Sequence, residues 1–196
     1  MPFIVLSSSR GTTFQAVIDA MKSGTLHDSC LGLIADSRGR GCVEKAEAAG
    51  IPALIVEKQD AQFDNRLVTA IESLHPTPDT VIALMGWMHI LPRSLLERLP
   101  YRIINVHPSL LPKFGGRGMY GTRVHEAVIN AGETQSGMTI HAVTEAIDGG
   151  EIILQQSCEV ALSDTPESLQ KKVQALEQQW YPIVLERLRT QSSQKK

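Results

Sequence analysis

Cysteine is scarce: Cys30, Cys42 and Cys158 are odd in number and far apart, which excludes a disulfide framework and a zinc site and fits reduced thiols in a cytosol. No apolar run approaches the length of a membrane span. The short apolar start at residues 3–6 lacks the basic flank and length of a signal peptide. Neither sign of charge dominates, and a formal net charge of -2 argues against a general nucleic-acid binder, which carries a strong basic excess. Internal repeats and linkers are missing too, so 196 residues with 42% hydrophobic content predict one well-filled core. The expectation is a soluble, cytoplasmic protein without nucleic-acid or membrane partners. Residues 1–190 form a single domain in this reading, and residues 191–196 a frayed polar tail.

What is present is an alternation. Apolar runs at residues 3–6, 31–35, 53–56 and 81–84 read as buried strands, and helical spacing at 14–21, 42–49 and 62–74 lies between them. A short helix over 92–99 has Pro92 near its start, and residues 103–106 read as a further strand. Beyond these come a helix at 124–131, strands at 138–143 and 151–160, and a long C-terminal helix from Thr165 with Asp164 at its N-cap. This order predicts an α/β fold with a doubly wound, mainly parallel sheet covered on both faces, and function at the strand ends. Residues 113–121 carry Gly115, Gly116, Gly118 and Gly121 around Arg117, Met119 and Tyr120 and predict a mobile loop.

Chemistry concentrates between residues 103 and 155. Asn105 and His107 leave the end of a strand two residues apart, so period-two alternation turns them to one side before Pro108 stops the strand. An amide donor beside an imidazole suits an oxyanion on a carbonyl under attack. Asp148, in a turn marked by Gly149 and Gly150, could orient that imidazole, hold it protonated, or take a proton from a nucleophile. Ser109 lacks the Gly-x-Ser-x-Gly elbow of a nucleophilic serine. A second group, Ser7-Ser8-Ser9-Arg10-Gly11-Thr12-Thr13, sits between a strand and a helix, where free amide groups bind phosphate or hydroxyls cap the helix.

Three stretches carry a resemblance. Asn105-Val106-His107-Pro108-Ser109-Leu110-Leu111-Pro112, Gly137-Met138-Thr139-Ile140-His141, and the run from Ile147-Asp148-Gly149-Gly150 to Gln155 resemble the core of the glycinamide ribonucleotide formyltransferases. The resemblance implies a Rossmann-like formyltransferase fold and transfer of a formyl group from 10-formyltetrahydrofolate to the primary amine of glycinamide ribonucleotide, in purine synthesis. It implies no metal and no bound cofactor, since the folate is a co-substrate, and it is compatible with a homodimer. Asn105, His107 and Asp148 become catalytic. Gly11, Thr12, Thr13 and Glu177 fall where the family binds its phosphorylated acceptor; Met88, His89, Ile90, Leu91, Asn105 and Thr144, Glu145, Ala146, Ile147, Asp148 fall where it binds folate.

This chain departs from the family pattern at Ser9 and Thr13, which stand for Gly and Asn, and at His89, which stands for Arg. Residues 112–126 are a few longer than in many members. His141 reads as structural, and His27, His75 and His125 as loop or helix residues. Two alternatives stay open: a sugar-nucleotide N-formyltransferase, whose acceptor also has phosphate and an amine, and a formyltetrahydrofolate hydrolase, which uses the same three residues on water. The hydrolase normally carries an extra N-terminal domain, whereas this sequence starts directly at its first strand.

Overall fold

The computed structural model describes residues 1–59, 61–99 and 102–193. Strands β1 (Phe3–Ser7), β2 (Cys30–Ala35), β3 (Ala53–Ile55), β4 (Val81–Leu84), β5 (Arg102–His107), β6 (Gln135–Ala142) and β7 (Ile152–Glu159) form one sheet in the order β3-β2-β1-β4-β5-β6-β7. The first five pair in parallel, while β6 runs antiparallel to both β5 and β7. The mainly parallel expectation holds, with the antiparallel pair as an appended edge.

β1 is buried along its whole length because alternate residues feed two cores. Phe3 and Val5 pack with helices α1 (Thr12–Ser23), α2 (Gly41–Ala48) and α6 (Pro166–Ser193). Ile4 and Leu6 pack with α3 (Phe63–Ser73) and with Leu95 of the short α4 (Arg93–Leu96) on the opposite face. Each such side chain contributes about 1.5–3 kcal/mol by leaving water, so the continuous apolar run of β1 specifies a central strand.

Helix ends follow local chemistry, with one shift from the expected cap. Thr165 and Ser168 exchange side-chain to backbone bonds at the start of α6, at 2.9 and 3.2 Å, a reciprocal capping box. Asp164 instead accepts from Ala161 N and Ser168 Oγ. Residues 191–193, expected as part of a frayed tail, continue α6, and residues 194–196 lie outside the described part.

The order β2-β1-β4 is the functional consequence. The chain winds one way from β1 to β2 and β3, then crosses back to β4 on the other side of β1. The loops after β1 and β4 therefore diverge and leave a crevice at the carboxyl ends of the strands.

Candidate active site

β5 brings Asn105 and His107 to this crevice, and antiparallel β6 sets His141 opposite Asn105 and Thr139 opposite His107. The register makes the chemistry. Asn105 Nδ2 lies 3.2 Å from His141 Nε2, and His141 Nδ1 lies 2.9 Å from Ala142 O. A carbonyl only accepts, so the His141 proton belongs on Nδ1 and Nε2 is free to accept from the Asn105 amide. Burial pushes the His141 pKa down, which keeps the ring in this neutral form. Asn105 is thus held by one N–H and keeps the other for a ligand.

His107 is 4% exposed, with Nε2 2.8 Å from Phe114 O and Nδ1 3.4 Å from Asp148 Oδ2. Both ring nitrogens face oxygen acceptors, and a doubly protonated ring satisfies both. Asp148 stands in the left-handed region at φ 53, in the turn before β7. Its Oδ2 accepts from Gly116 N at 2.9 Å, and its Oδ1 lies 3.6 Å from His141 Nε2. One carboxylate therefore reaches both histidines and the glycine-rich loop. Gly150 is required beside it, because a Cβ there would lie 1.9 Å from Ala142 O. Ser109 donates its hydroxyl to Lys113 O at 2.7 Å, a turn contact that matches its reading as no nucleophile.

These groups open into a cavity of about 780 Å³ that runs from the β1 loop to the segment after β6. Thr12, Thr13 and Glu177, Met88, His89, Ile90 and Leu91, Thr144, Glu145, Ala146 and Ile147, and Asn105, His107 and Asp148 all line it. Gly11 does not reach the wall. It takes the N-cap of α1 at φ 74 with no side-chain cap bond, so the hydroxyls of residues 7–9 do not cap the helix. Ser9 Oγ accepts from Gly11 N at 3.1 Å, and Ser7 Oγ donates to Met85 O at 2.7 Å. The first-turn amides beyond Gly11 are left for an anion.

Thr13 Oγ1 donates to Glu177 Oε2 at 2.9 Å, joining α1 to α6. The glutamate is no solvated surface residue: burial raises its pKa to about 7, against the Thr13 bond, which lowers it.

In the segment after β4, Met88 and Ile90 are about half exposed, at 51% and 54%, and line the cavity with apolar side chains. His89 turns toward Asp36 instead, with Nε2 2.8 Å from Oδ2, and packs edge-on against Trp87 at 5.1 Å and Phe63 at 5.8 Å. Arg40 grips the same carboxylate at 2.7 and 3.0 Å. Burial works against the Asp36 charge, but the Arg40 and His89 bonds outweigh it and hold the pKa below the ordinary value. Arg93 bridges Glu145 at 3.0 Å, tying α4 to the segment after β6.

Sequence reading missed three partners. His141 and Asp36 are distant in sequence from the groups they serve, and His125 of α5 (Thr122–Asn130) lines the cavity while 1% exposed. Period two puts His141 on the same side of β6 as Thr139, but its pairing with Asn105 is set by the register with β5.

Asn105, His107 and Asp148 thus gather at the end of β5 and the turn after β6 of a doubly wound sheet, and sequence comparison shows the family. The formyl transferase family matches residues 1–185, and the chain belongs to that family. Within it the chain is similar to phosphoribosylglycinamide formyltransferase of Bacillus subtilis (strain 168), at 33% identity over 95% of this chain and 93% of the relative. It is 34% identical to the chloroplastic phosphoribosylglycinamide formyltransferase of Arabidopsis thaliana over 92% of this chain, which spans only 63% of that plant protein. Among solved structures, glycinamide ribonucleotide transformylase 1 from Symbiobacterium toebii superposes with a TM-score of 0.85 at 30% identity, covering 95% of this chain and 86% of that one.

Proposed function

We propose that this chain transfers a formyl group from 10-formyltetrahydrofolate to the primary amine of glycinamide ribonucleotide. The observation that carries the reading is the joining of Asn105, His107 and Asp148 in one cavity that the uncapped first turn of α1 also lines. Thr12 and Thr13 amides hold the acceptor's phosphate, and Glu177 meets its sugar. Met88, Ile90 and residues 144–148 enclose the pterin, which needs apolar walls and backbone groups at its edge.

The neutral amine attacks the formyl carbon, forming a C–N bond as the carbonyl π pair moves to oxygen. Asn105 donates its free N–H to that oxyanion, and the positive charge of protonated His107 beside it stabilises it electrostatically. Collapse restores the carbonyl and breaks the bond from carbon to folate N10. The amine proton leaves toward Asp148 and N10 takes up a proton, so products are the formamide and tetrahydrofolate. The folate is a co-substrate in this scheme, and the reaction needs no change of oxidation state. No described helix is long and apolar enough to cross a membrane, and the free thiols Cys30, Cys42 and Cys158 favour a cytoplasmic setting.

The test incubates purified protein and 10-formyltetrahydrofolate with glycinamide ribonucleotide, with a sugar-nucleotide amine, or with water alone. Formylated glycinamide ribonucleotide and equimolar tetrahydrofolate are expected in the first mixture only. Formyl release without an amine would replace this reading with a hydrolase, and turnover confined to the sugar nucleotide would replace the acceptor.

A further inference from the structure

His125 is a buried titratable group on the cavity wall that this mechanism leaves without work. It sits on α5 just beyond the glycine-rich segment, is 1% exposed and lines the cavity. Its Nδ1 is enclosed with no hydrogen-bond partner among the described residues, a fate that Nε2 does not share. As the ring forms cavity wall and only Nδ1 is sealed, Nε2 is the nitrogen left to face the cavity. An unpartnered buried nitrogen carries a cost that an apolar side chain of similar shape avoids, so space-filling does not account for histidine here. A stranded lone pair costs less than a stranded N–H, which puts the proton on Nε2.

The ring also stays uncharged. Burial first, and then the neighbouring His107, lower its pKa to about 4. A neutral donor recognises an uncharged oxygen better than it holds a phosphate. The His107 side of the cavity is where amine and formyl group meet, so the oxygen within reach is the one nearest the amine.

We propose that His125 is a specificity-determining residue, whose Nε2–H donates to the carbonyl oxygen adjoining the amine of the acceptor. The inference rests on the proposed glycinamide acceptor and adds a contact that sets which amines are positioned for attack. An amine lacking that carbonyl leaves the donor unpaired and is discriminated against.

The experiment compares the parent, His125→Gln and His125→Phe in steady-state transfer from 10-formyltetrahydrofolate to glycinamide ribonucleotide, with melting temperatures recorded. Phe keeps a ring without a donor, and Gln keeps a donor without a ring. The expected result is a loss of about 10-fold in kcat/KM for the acceptor in His125→Phe, the scale of one hydrogen bond, with folate KM within two-fold and recovery in His125→Gln. Nitrogen-15 spectra of the parent should also show the Nε2–H tautomer of His125, with a shift on adding acceptor. A fully active His125→Phe, a loss shared equally by both substrates, or an Nδ1–H tautomer overturns the proposal even if a variant folds poorly. A parent that formylates no glycinamide ribonucleotide overturns the functional reading first, and this contact with it.

Discussion

His107 Nδ1 and Asp148 Oδ2 face each other at 3.4 Å while the other His107 nitrogen is held by Phe114 O at 2.8 Å. The ring cannot rotate away from the carboxylate without losing the Phe114 bond, so charge at position 148 acts directly on the ring. Asp148→Asn separates charge from shape. An amide oxygen still accepts from Gly116 N, and Asn tolerates φ 53 as Asp does. We expect the variant to fold, bind folate and lose roughly 10²-fold or more in kcat. Steady-state kinetics with folate binding measured beside them check this; unchanged turnover would assign Asp148 to the turn alone.

Asn105→Ala removes the amide donor to the oxyanion, and His107→Ala removes the positive charge beside it. Turnover should fall by about two to three orders of magnitude, with folding retained. The structure adds a third member to the set: His141→Phe strands the Asn105 amide that it now holds at 3.2 Å. Its kcat should fall less than in Asn105→Ala, since the amide survives but is no longer fixed. Single-turnover rates for the three variants test the order, and a His141→Phe enzyme slower than Asn105→Ala would give His141 a role of its own.

Glu177 makes stability depend on pH. Its folded pKa of about 7 lies above the ordinary 4.5, so its contribution is fully present below about pH 4.5 and is lost as pH rises through 7, when a charge must be kept in an enclosed site beside Tyr181. Glu177→Gln cannot ionise. Its melting temperature should match the parent near pH 4.5 and exceed it at pH 8, by the equivalent of roughly 2 kcal/mol. Thermal unfolding across that range decides it, and a constant gap between the two proteins would show that Thr13 and solvent already satisfy the ionised carboxyl.

The strands and most helices were legible because buried parallel strands are short apolar runs and amphipathic helices repeat every 3.6 residues. Asn105, His107 and Asp148 were legible because strand alternation and a glycine-marked turn fix where such side chains point. Pairing was not. Only the antiparallel register of β5 and β6 sets His141 against Asn105, and no local pattern in residues 138–143 carries that information. The Asp36–His89 contact spans 53 residues and two strand ends, so no local pattern joined His89, which lines the cavity, to the Asp36–Arg40 pair. The isolated His125 likewise looks bland until the cavity is closed around it.

Gly11 carries a packing constraint that its reading from sequence did not include. Its sequence role was to let the backbone approach an anion, yet it does not line the cavity. A Cβ at Gly11 would lie 2.8 Å from both the Cα and Cβ of Cys42, and the residue holds φ +74. Glycine is therefore needed to pack α1 against α2 and to turn the chain, which costs any other residue roughly 1–3 kcal/mol. The same loop carries Ser8, whose hydroxyl accepts from Met88 N at 3.4 Å, and Ser9, whose Cβ would meet one added at Gly86 at 2.8 Å. Displacement at Gly11 thus reaches the opposite wall. Gly11→Ala should lower the melting temperature by several degrees and weaken acceptor and folate together, measured by titration of each ligand. Cys42→Gly should rescue it only in part, because the Cys42 Cα remains in the way. A Gly11→Ala protein with the parent's melting temperature and a loss confined to the acceptor would restore the anion-approach reading.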